Sequence, residues 1–214
     1  SLSSGAVVVN AAANSVEFTG TLDGAQNLTL TGTAGAVGGV ILGGAVGSGT
    51  PLSSLTINAA NTAGDEIRLN GGTVITSTQG GASGAQTYNN AVVVGANTTL
   101  TSNGGAVTFA NTLNSSGDGA TTSDFRTLNI NPGAGNTTFT GIVGGNADGE
   151  LGAITITGTG AITFPTTESA SINNKALTAN VATLTTAAAH TFAVGQKFVV
   201  AGAGAPFDGT FTVT

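Results

Sequence analysis

The feature that most constrains this chain is its self-repetition: short apolar pulses recur through a background of Gly, Ala, Ser, Thr and Asn, with few residues capable of chemistry. Ala6-Val7-Val8-Val9 returns as Ala91-Val92-Val93-Val94, 85 residues on (91 − 6), and Val16-Glu17-Phe18 as Val107-Thr108-Phe109, 91 residues on (107 − 16). Asn27-Leu28-Thr29-Leu30 answers to Thr127-Leu128-Asn129-Ile130, an offset of 100 (128 − 28). Gly44-Ala45-Val46-Gly47 answers to Gly141-Ile142-Val143-Gly144 and the run from Leu52 to the run from Leu151, offsets of 97 (141 − 44) and 99 (151 − 52). The jump from 91 to 100 falls at the polar stretch Ser115 to Asp124, as a loop inserted into a repeat would produce. Residues 1–167 therefore read as two copies of a unit of about 91–100 residues, and 168–214 as a smaller β module of different texture.

The pulses have strand period. Apolar residues do not return at helical spacing, and 35 glycines leave little room for helix interiors. Strands are expected over 6–9, 16–19, 27–31, 40–42, 55–58, 66–69, 73–76, 86–88, 91–94, 98–101, 106–109, 127–131, 137–140, 153–157 and 161–164. Most alternate apolar with Thr, Asn or Ser, so one set of side chains points inward and the other outward. Asn70-Gly71-Gly72, Gly80-Gly81, Asn103-Gly104-Gly105 and Gly144-Gly145 supply corners, where Gly and Asn tolerate left-handed backbone. Short strands and Gly corners suit a sandwich, a barrel or a solenoid. Repetition favours an all-β right-handed parallel β-helix, with β-sandwich repeats as the alternative.

Charged residues make up only 7% of the chain, at a formal net charge of −6. Arg68, Arg126, Lys175 and Lys197 stand singly, so no basic stripe exists for nucleic acid. There is no cysteine, hence no disulfide or thiolate metal site. No run approaches the ~18 apolar residues of a membrane helix, and the opening Ser1-Leu2-Ser3-Ser4-Gly5 has no leader pattern. The chain opens in mid-repeat, since the stretch before Ala91 has no counterpart before Ala6, so it is expected to be cut from something longer. Its last strand runs to the final residue, so the tail module is expected to be incomplete or to await a partner strand.

The run Gly84-Ala85-Gln86-Thr87-Tyr88-Asn89-Asn90-Ala91-Val92, followed by Gly95-Ala96-Asn97-Thr98-Thr99-Leu100 and Ala106-Val107-Thr108-Phe109, resembles repeats of large bacterial surface proteins of the filamentous-haemagglutinin type. The resemblance spans residues 6–165 and implies a secreted or surface-attached, often adhesive, β-helical stalk. The tail is similar to small β modules of phage tail and bacterial surface proteins, through Val181 to Thr186, His190, Phe192 and Phe207-Asp208-Gly209-Thr210-Phe211-Thr212-Val213. That likeness implies an attachment or assembly module.

Little catalytic chemistry is visible. His190 is the one histidine, without the partners that a triad or a multi-histidine metal site needs. Asp65-Glu66 is a candidate acid pair for glycoside cleavage, but Glu66 and Arg68 share a strand face and read better as an exposed ion pair. Calcium is the cofactor considered, with Asp23, Asp118, Asp148 and Glu150 as candidate ligands in Gly-containing loops, against plain Asp-Gly corner chemistry. The Asn-X-Thr/Ser triplets at Asn27, Asn97, Asn114 and Asn136 are expected by chance in such a composition.

The expectation is a non-enzymatic structural or adhesive protein of the bacterial cell surface or exterior. Its partners would be copies of itself or neighbouring repeats, or a host or cell-surface ligand, joined through exposed strand edges. The expected edges are Ala6, Val7, Val8 and Val9 at one end and Thr210, Phe211, Thr212 and Val213 at the other. Alternatives are a virion appendage, and a polysaccharide-active β-helix, for which one Tyr and no Trp offer little platform.

Overall fold

The computed structural model describes residues 5–11, 15–32, 39–59, 65–77, 83–116, 125–145, 149–165, 170–178, 181–187, 197–205 and 207–212. The chain divides into two compact units, Ser1–Pro165 and Thr166–Thr214. No helix occurs among the described residues.

The first unit is a parallel β-helix. Its first sheet holds β1 (Val7–Asn10), β3 (Asn27–Thr31), β5 (Ser54–Asn58), β8 (Gln86–Tyr88), β11 (Val107–Phe109), β14 (Thr137–Phe139) and β16 (Ile162–Thr163), stacked in that order. The second sheet stacks β2 (Val16–Phe18), β4 (Val40–Leu42), β6 (Ile67–Leu69), β9 (Val92–Val94) and β12 (Leu113–Ser115). The third stacks β7 (Thr73–Ile75), β10 (Thr98–Thr101), β13 (Thr127–Gly133) and β15 (Ala153–Gly158). All these pairings are parallel. The chain visits first, second and third sheet in rotation. Where a coil lacks a full strand, a single bridge holds the place: Leu22 to Val46 and Val46 to Val74 on the third sheet, Leu113 to Val143 on the second.

Alternation decides what faces inward. In β3 and β5, Leu28, Leu30, Leu55 and Ile57 are buried while Thr29 and Thr56 between them are half-exposed. Register then stacks like on like. Val9, Leu30, Ile57, Tyr88, Phe109 and Phe139 form one inward column of the first sheet. Its later members are rings: Tyr88 on Phe109 at 5.1 Å, Phe109 on Phe139 at 5.3 Å and Phe139 on Phe164 at 5.0 Å, nearly parallel in each pair. Parallel offset rings add ~0.5–1.5 kcal/mol per pair beyond area burial.

Corners are tight because coils stack backbone on backbone. A Cβ on Gly135 would collide with the Gly105 carbonyl, and one on Gly160 with the Gly135 carbonyl, so this column of corners admits only glycine. Asn103, at φ 49°, is the one non-Gly residue with positive φ among the described residues, and its side-chain amide donates to the Thr76 carbonyl at 3.2 Å.

The spacing of 91–100 residues is not the period of this fold. Successive partners on the first sheet stand between 21 (28 − 7) and 31 (86 − 55) residues apart, one coil each. The near-copies land on different sheets: Leu28 on the first and Leu128 on the third, Val16 on the second and Val107 on the first.

The second unit contains two antiparallel ladders, β17 (Ile172–Thr178) with β18 (Val181–Thr186) and β19 (Lys197–Val200) with β20 (Gly209–Thr212). Among its described residues Val200, Ala203 and Phe207 are the buried apolar ones, with Ile172, Leu184 and Phe198 packed against them.

Candidate functional site

The most concentrated polar chemistry among the described residues is buried. On β8 the alternation that points Tyr88 inward also points Gln86 inward, into a column that otherwise runs through Val7, Leu28, Leu55, Val107, Thr137 and Ile162. Its amide nitrogen lies within hydrogen-bond distance of the Thr101 carbonyl at 3.0 Å, the Thr76 hydroxyl at 3.2 Å and the Val74 carbonyl at 3.3 Å. Its amide oxygen accepts from the Tyr88 hydroxyl at 2.9 Å, and the Thr76 hydroxyl donates to the Gly84 carbonyl. Burial pushes the Tyr88 phenol well above its ordinary range. Both polar side chains are fully enclosed, so the knot joins coils and offers a solute no opening.

Of the calcium candidates, Asp23 and Glu150 lie among the described residues. Asp23 Oδ1 accepts from the backbone N–H groups of Gly49 (2.8 Å) and Thr50 (3.2 Å) in the next coil, and Gly24, at φ 147°, donates to the Thr50 carbonyl. Corner chemistry is what this carboxylate performs. Glu150 is exposed near the Ser115 to Gly149 backbone bond, while Asp118 and Asp148 lie outside the described residues. Among the described residues no three His, Asp or Glu side chains gather into a metal-binding group. His190 lies outside the described residues.

Arg68 and Glu66 pair at 2.9 Å with side chains 47% and 26% exposed, as their shared face led one to expect. Such a pair contributes ~0–1 kcal/mol. Asp65, 5% exposed, is buried beside it.

Of the expected edges, β1 is an outermost strand of the first sheet, with Val8 59% exposed and Val7 and Val9 half-buried. At the other end of that sheet β16 leaves Ile162 and Phe164 exposed. Thr210, Phe211 and Thr212 lie on β20, paired with β19 on one side, and Val213 lies outside the described residues. The Gln86 knot escaped the sequence reading because a lone Gln between strand residues carries no periodic signal. The apolar end at Ile162 and Phe164 was legible as a strand, yet not as the last member of a column.

No protein-family model matches the chain, and neither a curated protein nor a solved structure matches it.

Proposed function

We propose that the chain is a structural segment of an extracellular, surface-attached or filament-forming bacterial protein, a β-helical stalk that grows by stacking further coils onto its ends. The supporting observation is that, among the described residues of the first unit, the inward columns end on apolar side chains. Phe164 stacks on Phe139 at 5.0 Å and is itself 57% exposed, and Ile162 beside it is 49% exposed. At the opposite end Val7 and Val9 begin the same two columns. A coil carrying Val7 and Val9, set against one carrying Ile162 and Phe164, continues apolar on apolar while the free edges of β16 and β1 pair. Strand addition of this kind supplies main-chain hydrogen bonds for affinity and side-chain columns for register. The partner is a further coil of the same repeat or a second copy. An uncapped edge is otherwise an aggregation liability.

Negative-stain electron microscopy of the purified chain at neutral pH, with and without chelator, tests this. The expected result is fibres built end to end, lost in Phe164→Asp. Discrete particles in both proteins would overturn end-on assembly, and fibres that dissolve in chelator would bring Asp23 and Glu150 back as calcium ligands.

A further inference from the structure

The outward side of the first sheet repeats more strictly than its core. Thr29, Thr56, Thr87, Thr108, Thr138 and Thr163 are register partners from strand to strand, one per coil without interruption. Each is flanked by the two inward residues of its strand, so the backbone holds every threonine in the same attitude. The column beneath runs through the Tyr88, Phe109, Phe139 and Phe164 rings, which fixes the spacing from inside. Adjacent strands are ~4.8 Å apart, so the six threonines form a row of about 24 Å. None of the six hydroxyls has a protein hydrogen-bond partner among the described residues. They are left to bond outward.

The surroundings restrict what can be bound. The outward positions of the seven strands hold Thr, Asn, Ser, Ala, Val and Pro, with no acid, base or aromatic residue. The strand charges of this unit lie elsewhere: Glu17 and Arg68 are on the second sheet. An ionic ligand, whether phosphate, mineral or acidic glycan, has no counter-charge here. A sugar ring has no outward aromatic face on which to stack. A second copy has too little area, since seven strands by three outward positions give roughly 29 Å by 13 Å, about 400 Å², against ~800 Å² per partner in a standard interface. What remains is an uncharged, hydrogen-bonding solid that is itself periodic. A lattice engages every coil at once, so weak single contacts combine multiplicatively, and a rigid row loses little freedom on contact.

We infer that this threonine face binds ice. The methyls enclose ordered water between coils, and the hydroxyls continue its hydrogen-bond network into the protein.

The test is thermal hysteresis and ice-recrystallisation inhibition by the full chain, with circular dichroism on every variant. The wild type is expected to open a gap between melting and freezing and to shape the crystals. Thr87→Tyr combined with Thr108→Tyr, which sets rings in the middle of the row, is expected to abolish the gap. Thr99→Tyr, an exposed site on the third sheet, is expected to leave it unchanged. If the double variant loses its β spectrum, Thr56→Lys replaces it with the same expected loss. Wild-type crystals growing as in buffer, or equal loss in folded Thr99→Tyr, would overturn the inference, as would co-sedimentation with crystalline cellulose in the absence of any effect on ice.

Discussion

At the scale of single residues, Gln86 and Tyr88 show how a β-helix admits polar groups to its core. A buried amide is tolerated because its donors and acceptor are used within the fold, the amide NH₂ by the carbonyls of neighbouring coils and the oxygen by the phenol. Removing one partner would strand the other at ~1–3 kcal/mol. The phenol also makes a pH prediction. Tyr88 is held neutral in the fold by burial, with its ionisation raised, whereas in the unfolded chain it titrates near ~10. Above that value the unfolded state loses a proton that the native state keeps, so stability is full below pH ~10 and falls as pH rises. As this is the only Tyr and there is no Trp, tyrosinate absorbance in an alkaline titration should appear together with loss of the β spectrum. Tyr88→Phe should remove this contribution to the alkaline decline. Absorbance rising while the spectrum stays native would refute it.

At the scale of strands, the working unit is a triplet: inward, outward, inward. Leu28-Thr29-Leu30, Leu55-Thr56-Ile57, Val107-Thr108-Phe109 and Ile162-Thr163-Phe164 all obey it, and so does Ile154-Thr155-Ile156 on a different sheet. Because the three sheets share one code, residues 91 or 100 apart can look alike while facing different sides. That is why the strands were legible and the coil length was not. β12 and β17 escaped notice for another reason. In β12 Asn114 and Ser115 are buried polar residues, and β17 is exposed through most of its length, so neither shows the alternation a sequence reveals. The ladder predicts a gradient along the first sheet. Phe109→Ala, in mid-column and fully buried, should cost ~3–5 kcal/mol. Phe164→Ala, exposed and stacked on one side only, should cost about 1 kcal/mol. Urea unfolding of both variants measures the difference, and equal losses would show that the ladder does not carry the stability of the coil.

At the scale of the whole molecule, the two units differ in what holds them. The first buries a continuous apolar core from Val16 to Phe139, whereas among the described residues of the second three apolar residues are buried. Local opening is cheapest where few apolar contacts resist it. Amide hydrogen exchange should therefore be slowest in β5, β8 and β11 and faster by orders of magnitude in β17 to β20, and uniform protection across both units would contradict this. By itself the sequence determined the all-β class, the positions of most strands of the first unit and the coil material, because period-2 alternation and Gly corners are local properties of neighbouring residues. It also displayed the thin, scattered charge that leaves the first sheet neutral. Only the tertiary structure decided which strand lies on which sheet, the coil length of 21 to 31 residues, the enclosure of Gln86 and the alignment of six threonines into one row. Those depend on register between strands distant in sequence, which is set by how a whole coil closes on the one before it.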